Sequence, residues 1–278
     1  MNHWVAQLNS NSQIYLDVIE QMIDWLCAEQ APKVLDAGCG RGEPALLFAT
    51  RGCQVVGVDA DATMLESALQ LVSQVPFAGE IKLQQGDIAQ LRDADGTFDL
   101  VWTSAAIHHV ADKVATVKEL GHVLKPGGRL AIREGNLPLQ FLPFDVGLTA
   151  PGLQDRLHVA DNQWFVSMTQ ATQPEERPYP YGWLQLLHDA GFANIQARTF
   201  MLEALPPFTP TQTKFMTYHL WRTFERDRGI YGPLLNEADR HALQQLLDPS
   251  SPHYVLARTD LHLRYSLCIY VGEKTTNN

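Results

Sequence analysis

An apolar strand that runs into three alternate glycines and then into a proline-opened helix constrains this chain more than any other stretch. It reads Val34-Leu35-Asp36-Ala37-Gly38-Cys39-Gly40-Arg41-Gly42-Glu43-Pro44-Ala45. Glycines there let the backbone turn with positive φ and let a ligand press against the main chain. Pro44 suits the first turn of a helix, where its missing N–H costs nothing. Such a strand–loop–helix junction cradles the polar end of a nucleotide-like ligand. A second apolar strand, Gln54-Val55-Val56-Gly57-Val58, ends in Asp59, a carboxylate placed to accept from both hydroxyls of a ribose. The expected ligand is an adenosine compound.

Glycine spacing decides which one. A dinucleotide fold wants G-x-G-x-x-G, but Glu43 stands where the third glycine should be, and the spacing is Gly38-x-Gly40-x-Gly42 with Asp36 before it. Carboxylates at such a loop repel a pyrophosphate and suit a ligand carrying an ammonium and a sulfonium. The pattern resembles the nucleotide-binding loop of class I S-adenosylmethionine-dependent methyltransferases.

The resemblance continues in order along residues 30 to 135. Gln85-Gly86-Asp87-Ile88 follows the strand Ile81 to Gln84; Phe98-Asp99-Leu100-Val101-Trp102 looks like the fourth strand; Leu124-Lys125-Pro126-Gly127-Gly128 looks like the turn before the fifth, which ends at Arg133-Glu134. It implies S-adenosylmethionine as cofactor, with Asp36, Gly38, Gly40 and Gly42 shaping the methionine end. Asp59 with Ala60 would hold the ribose, Asp87 and Ile88 the adenine, and Thr103 would complete the cofactor-binding set. The implied fold is a three-layer α/β sandwich around a mostly parallel, seven-stranded Rossmann-like sheet with an antiparallel last strand and an inserted helical cap.

After the fourth strand comes Ser104-Ala105-Ala106-Ile107-His108-His109-Val110. A histidine pair here is common in the small-molecule branch of the family, so the chain resembles the quinone-biosynthesis methyltransferases in particular. His109, His108 and Glu134 are therefore the candidate acid–base residues, with His109 the one expected to face the acceptor. Each also has a plain alternative: the histidines as loop and helix-cap residues, Glu134 as a partner of Arg133. The absence of an Asn-Pro-Pro-Tyr type motif after the fourth strand disfavours amide and base-amine methylation of that class.

The chain of 278 residues can bury a full core as one domain, residues 1–278, with insertions at about 135–181 and 205–260. Helical patterns cover about Gln212 to Gly229 and Glu237 to Leu247 in the second insertion. Both insertions are rich in aromatic residues and proline and are read as a cap over the acceptor, favouring an apolar or aromatic small molecule. A formal net charge of −10 argues against nucleic acid as partner; the basic run Arg222 to Arg228, interrupted by acids, reads as a solvated helix face. His158 and His219 read as exposed or satisfied. The four cysteines lack metal-ligand spacing, so no metal is expected, and they read as reduced thiols. No signal peptide pattern and no apolar run near the ~20 residues of a membrane helix point to a cytoplasmic protein off the membrane, a monomer or homodimer. Two rival readings stay open: a cofactor-binding or isomerase-like protein that no longer transfers methyl, and a methyltransferase for RNA or protein.

Overall fold

The computed structural model describes residues 10–27, 31–91, 95–135, 137–172 and 179–275. The elements in chain order are α1 (Ser10–Leu26), β1 (Lys33–Ala37), α2 (Glu43–Thr50), β2 (Gln54–Asp59), α3 (Ala62–Gln74), β3 (Glu80–Gln85), β4 (Phe98–Ser104), α4 (Lys113–His122), β5 (Leu124–Arg133), α5 (Leu153–Thr172), α6 (Trp183–Asp189), β6 (Ala193–Ala204), α7 (Pro210–Asp227), α8 (Glu237–Leu247) and β7 (Leu263–Glu273).

Seven strands form one sheet in the order β3-β2-β1-β4-β5-β7-β6. The pairs among β1 to β5 are parallel, and β7 runs antiparallel to β5. β1 and β4 are buried almost throughout, as strands covered on both faces must be. Alternate residues serve opposite layers. Leu35, Val101, Leu130 and Ile132 meet Val117 and Leu120 of α4 and Leu186 and Leu187 of α6. Trp102 points the other way and packs edge-on against Phe48 of α2, ring centroids 5.8 Å apart. Every residue of α2 from Pro44 to Ala49 is buried, so this helix is wedged into the core, and its N-terminus is held where the glycine loop ends.

The chain divides into two compact units. The larger comprises Val18–Asn136, Glu175–Phe200 and Leu267–Asn278; the other comprises Met1–Asp17, Leu137–Pro174 and Met201–Ser266. The second unit thus gathers most of both insertions and the N-terminal segment. Its helices are joined through buried carboxylates. Asp239, 1% exposed, takes Arg156 Nε and Nη2 at 2.7 and 2.8 Å, Thr149 Oγ1 at 2.8 Å and Asn236 Nδ2 at 2.7 Å. Asp227 accepts the amides of Leu234 and Leu235 at 2.7 Å and pairs with Arg240.

Three elements differ from the sequence expectation. β5 takes in Leu124 to Gly128, expected as the turn before it, with a break in its pairing to β4 between Phe98 and Leu100. α7 starts at Pro210 because Thr209 and Gln212 close a reciprocal capping box. α5, twenty residues long, was not expected: its buried residues Leu153, Gln154, Leu157 and Ala160 all lie in its first half, so the second half carries no core-facing periodicity.

Candidate active site

The glycine loop is fastened to the end of β2. Gly38 and Cys39 both donate to the Val58 carbonyl, at 2.8 and 3.0 Å. Gly40 N–H donates to Asp59 Oδ2 at 2.7 Å, and Asp61 N–H to Oδ1 at 2.9 Å. Asp59 therefore orders the loop while each oxygen keeps a further lone pair for a ligand hydroxyl. A Cβ on Gly38, whose φ is 77°, would sit 2.5 Å from the Ala106 Cβ, so the loop after β4 presses directly on the glycine loop. A Cβ on Gly40, with φ 52°, would meet nothing within 4 Å: its backbone faces open space.

Beneath the loop lies Asp36, fully buried. Neither of its oxygens finds a hydrogen-bond partner among the described residues. Burial, then the negative charge of Asp59 and more weakly of Glu43, push its carboxyl up to about 8; the Ala45 amide eases the shift from outside hydrogen-bonding geometry. Burial also raises the Glu43 carboxyl. The Cys39 thiol is raised by burial and by both aspartates, so it stays protonated and inert. An unpartnered buried carboxylate is costly; a cation at the loop would relieve it.

Beyond β3, Val58, Gln84, Gly86, Asp87, Gln90 and Leu91 line a cavity of about 350 Å³. Asp87 is exposed there and accepts Ala89 N–H through Oδ1 at 2.8 Å, leaving Oδ2 available. Ile88 is buried in the core cluster that includes Val58. Ala60 is exposed, and its carbonyl accepts Gln85 Nε2 at 3.0 Å. Thr103 is buried, and its hydroxyl has no hydrogen-bond partner among the described residues.

Sheet register brings the acid–base candidates together. Ser104 pairs with Arg133 at the ends of β4 and β5, so Glu134 stands beside the loop that follows β4. Glu134, 4% exposed, takes His108 Nδ1 at 3.0 Å through Oε2 and 3.2 Å through Oε1. It also faces the His108 amide at 3.4 Å. Arg133 Nε donates to Ser104 Oγ at 3.0 Å. His109 is exposed, its ring 3.9 Å from that of His108. Spacing could not reveal the His108–Glu134 pair, because the two lie 26 residues apart.

In the second unit His158 Nε2 contacts the Leu139 carbonyl at 2.6 Å. Trp164 lies under Arg226, and Phe215 is buried against Tyr265, so both aromatics belong to that unit's own packing. The run from Arg222 to Arg228 is not a solvated face: Thr223 and Asp227 are buried and Arg222 and Arg226 are half-buried. Among the described residues no cluster of His, Cys, Asp and Glu could hold a metal ion, and no helix is long and apolar enough to cross a membrane.

Residues 35–132 match a protein family described as a methyltransferase domain. The chain is 35% identical over 185 residues to a demethylmenaquinone methyltransferase of Symbiobacterium thermophilum, covering 61% of this chain and 71% of that one. It is 32% identical over 149 residues to the 27-O-demethylrifamycin SV methyltransferase of Amycolatopsis mediterranei, 53% of each. It spans about half the length of several curated relatives that it matches. The crystal structure of the YcgJ protein of Bacillus subtilis shares the fold with a TM-score of 0.54 at 18% identity, covering 93% of this chain and 98% of that one. The chain belongs to the class I S-adenosylmethionine-dependent methyltransferases. The acidic loop, the unpartnered Asp36 and the open backbone at Gly40 fit that family's cofactor, a sulfonium with a free ammonium.

Proposed function

We propose that the protein transfers a methyl group from S-adenosylmethionine to a small, apolar or aromatic organic acceptor of secondary or cofactor metabolism. The observation that carries this reading is Asp36, buried without a partner under a loop ringed by Asp59 and Glu43. Such a loop binds a cationic adenosine compound and turns away anionic ones. Gly38, Gly40 and Gly42 would let the backbone approach the methionine end, Asp59 would accept from the ribose, and the Asp87 cavity would take the adenine. When bound, the cofactor supplies an electrophilic methyl group. The names of the relatives, which point to a demethylmenaquinone and a demethylrifamycin, support the small-molecule class.

His108 is the base in this reading, in place of His109. A neutral imidazole whose Nδ1–H is held by Glu134 keeps Nε2 as its acceptor. Nε2 would take the proton that the acceptor's nucleophilic atom must lose, and the buried Glu134 would stabilise the imidazolium so formed. The other contribution of the chain is positioning: the acceptor atom must lie on the sulfonium axis about 3 Å from the methyl carbon with water excluded.

Calorimetry with S-adenosylmethionine, its demethylated product and NAD tests the reading. Binding of the first two and not the third is expected, followed by methylated product on incubation with quinone- or phenol-type acceptors. Tight NAD binding without response to the others would overturn it. Bound cofactor that never yields demethylated product with any acceptor would favour the non-transferring alternative. Salt-sensitive binding to RNA would favour a polymer substrate.

A further inference from the structure

Within the second unit, α7 turns one face toward α5, and among the described residues the two guanidiniums on that face meet one carboxylate. His219, Arg222, Thr223 and Arg226 are spaced three and four apart and so share the face. Asp161 of α5 is the carboxylate they meet. Its Oδ1 takes Arg226 Nη1 at 3.0 Å, and its Oδ2 takes Thr223 Oγ1 at 3.1 Å and Arg222 Nη2 at a long 3.4 Å. Arg222 Nη2 sits closer to His219 Nδ1, 3.1 Å away.

Two guanidiniums thus share one carboxylate. Arg222 is the underused member: its Nε is buried with no hydrogen-bond partner among the described residues. A guanidinium never loses its proton in a protein, so it can only donate. His219 Nδ1 must then accept, which puts the hydrogen of a neutral ring on Nε2. The ring is neutral at ordinary pH, because burial and the charges of Arg222, His158 and Arg226 push it down to about 3. It adds a donor and no charge. His158 spends Nε2 on the Leu139 carbonyl. Trp164 backs Arg226 at 3.8 Å, and Tyr218 lies 6.0 Å from Arg222, so aromatic faces flank the guanidiniums.

We propose that Arg222, with His219 and Arg226 beside it, forms a binding site for the carboxylate of a small aromatic or apolar monoacid. One excess positive charge matches one carboxylate. The planar fork of a guanidinium matches its two oxygens, and the surrounding aromatic rings match an apolar body. The idle donor at Arg222 is the observation that separates this arrangement from a structural ion-pair network, in which every N–H would be spent. The site is argued from the second unit alone and stands apart from the methyl-transfer reading.

The test uses the full chain, with benzoate as probe and benzyl alcohol and inorganic phosphate as controls, read by calorimetry and by thermal shift. Saturable benzoate binding is expected, at least ten-fold tighter than that of the neutral alcohol and tighter than that of phosphate. Arg222→Gln should weaken benzoate binding ten-fold or more. Asp161→Asn should strengthen it several-fold, because the competing carboxylate is removed; a merely structural cluster would be destabilised by that change with no gain in anion binding. If Arg222→Gln fails to fold, Asp161→Asn and Arg222→Lys decide, the lysine variant being expected to bind weakly for want of the fork. Absence of saturable benzoate binding overturns the proposal, as do equal binding of acid and alcohol, binding unchanged in Arg222→Gln, or no gain in Asp161→Asn. Preference for phosphate would show a different anion class and overturn the carboxylate assignment.

Discussion

On the proposed reading Asp36 would couple pH to both stability and ligand binding. Its folded-state carboxyl titrates at about 8, against ~3.9 in an unfolded chain. Between those values the folded protein holds a proton that the unfolded chain has lost. Its contribution therefore favours the ligand-free fold at low pH and is lost as pH rises toward 8. A cationic ligand needs the carboxylate, so cofactor affinity should rise over the same window with uptake of the ligand releasing a proton. Calorimetry in two buffers of different ionisation enthalpy at pH 7 would register that release, and Asp36→Asn should abolish it while weakening binding. Full affinity in Asp36→Asn would show that the ligand's cation sits elsewhere. At His108, Glu134→Gln should reduce turnover by ~10²–10⁴-fold with cofactor affinity nearly unchanged, and His109→Gln should cost far less. The reverse order would return the base to His109. Asp36 and its glycines could be read from the sequence because their geometry is local to twelve residues. The Glu134 partner could not, since strand register decides it, nor could the half-buried setting of Arg222, because a run of charges does not say which helix face each one takes.

At the scale of elements, two loops from neighbouring strands press on each other at Gly38 and Ala106. Gly38→Ala should weaken cofactor binding ten-fold or more, since it adds both a backbone strain at positive φ and a Cβ 2.5 Å from that of Ala106. Adding Ala106→Gly should restore part of the loss, because it removes the clash and leaves the strain. No rescue in the double variant, with all variants folded, would mean that the loops do not communicate there. Most strands of the sheet unit were legible within a residue or two because apolar runs and glycine stops agree there; β5 was not, since Leu124 to Gly128, whose glycines suggest a turn, belong to the strand and break its pairing with β4 between Phe98 and Leu100, while Asp61 and Asp112 cap α3 and α4. α5 was not legible either, because half of its length buries almost nothing. The Thr209–Gln212 box sets the start of α7 at Pro210, ahead of the point where its hydrophobic pattern begins.

Across the whole molecule, pH acts on the two units with opposite sign. The Arg156 guanidinium beside Asp239 holds that carboxyl below the usual range, so its stabilisation is present above ~3.9 and is lost as pH falls through the lower, folded value. Acid should therefore loosen the second unit while it relieves the Asp36 penalty in the first. Asp239→Ala leaves Arg156 without its carboxylate and should cost ~3–5 kcal/mol, seen as a fall in melting temperature and in the urea midpoint; a loss under ~1 kcal/mol, within the range of exposed pairs, would make the pair peripheral. The sheet, its strand count and its antiparallel last strand were legible through family resemblance. The division into two units was not, since it joins segments 137–174 and 201–266 to residues 1–17, and nothing local marks such a union. The acidic setting of the glycine loop has a last consequence, for traffic among metabolites. A glycine-rich loop at a helix N-terminus is a common phosphate site, so on the proposed reading the charge of Asp36 and Glu43 would reinforce glycine spacing in sorting adenosine compounds. Neutralising Asp36 and Glu43 together would turn a sorting device into a permissive one, and the first newcomers would be adenosine phosphates.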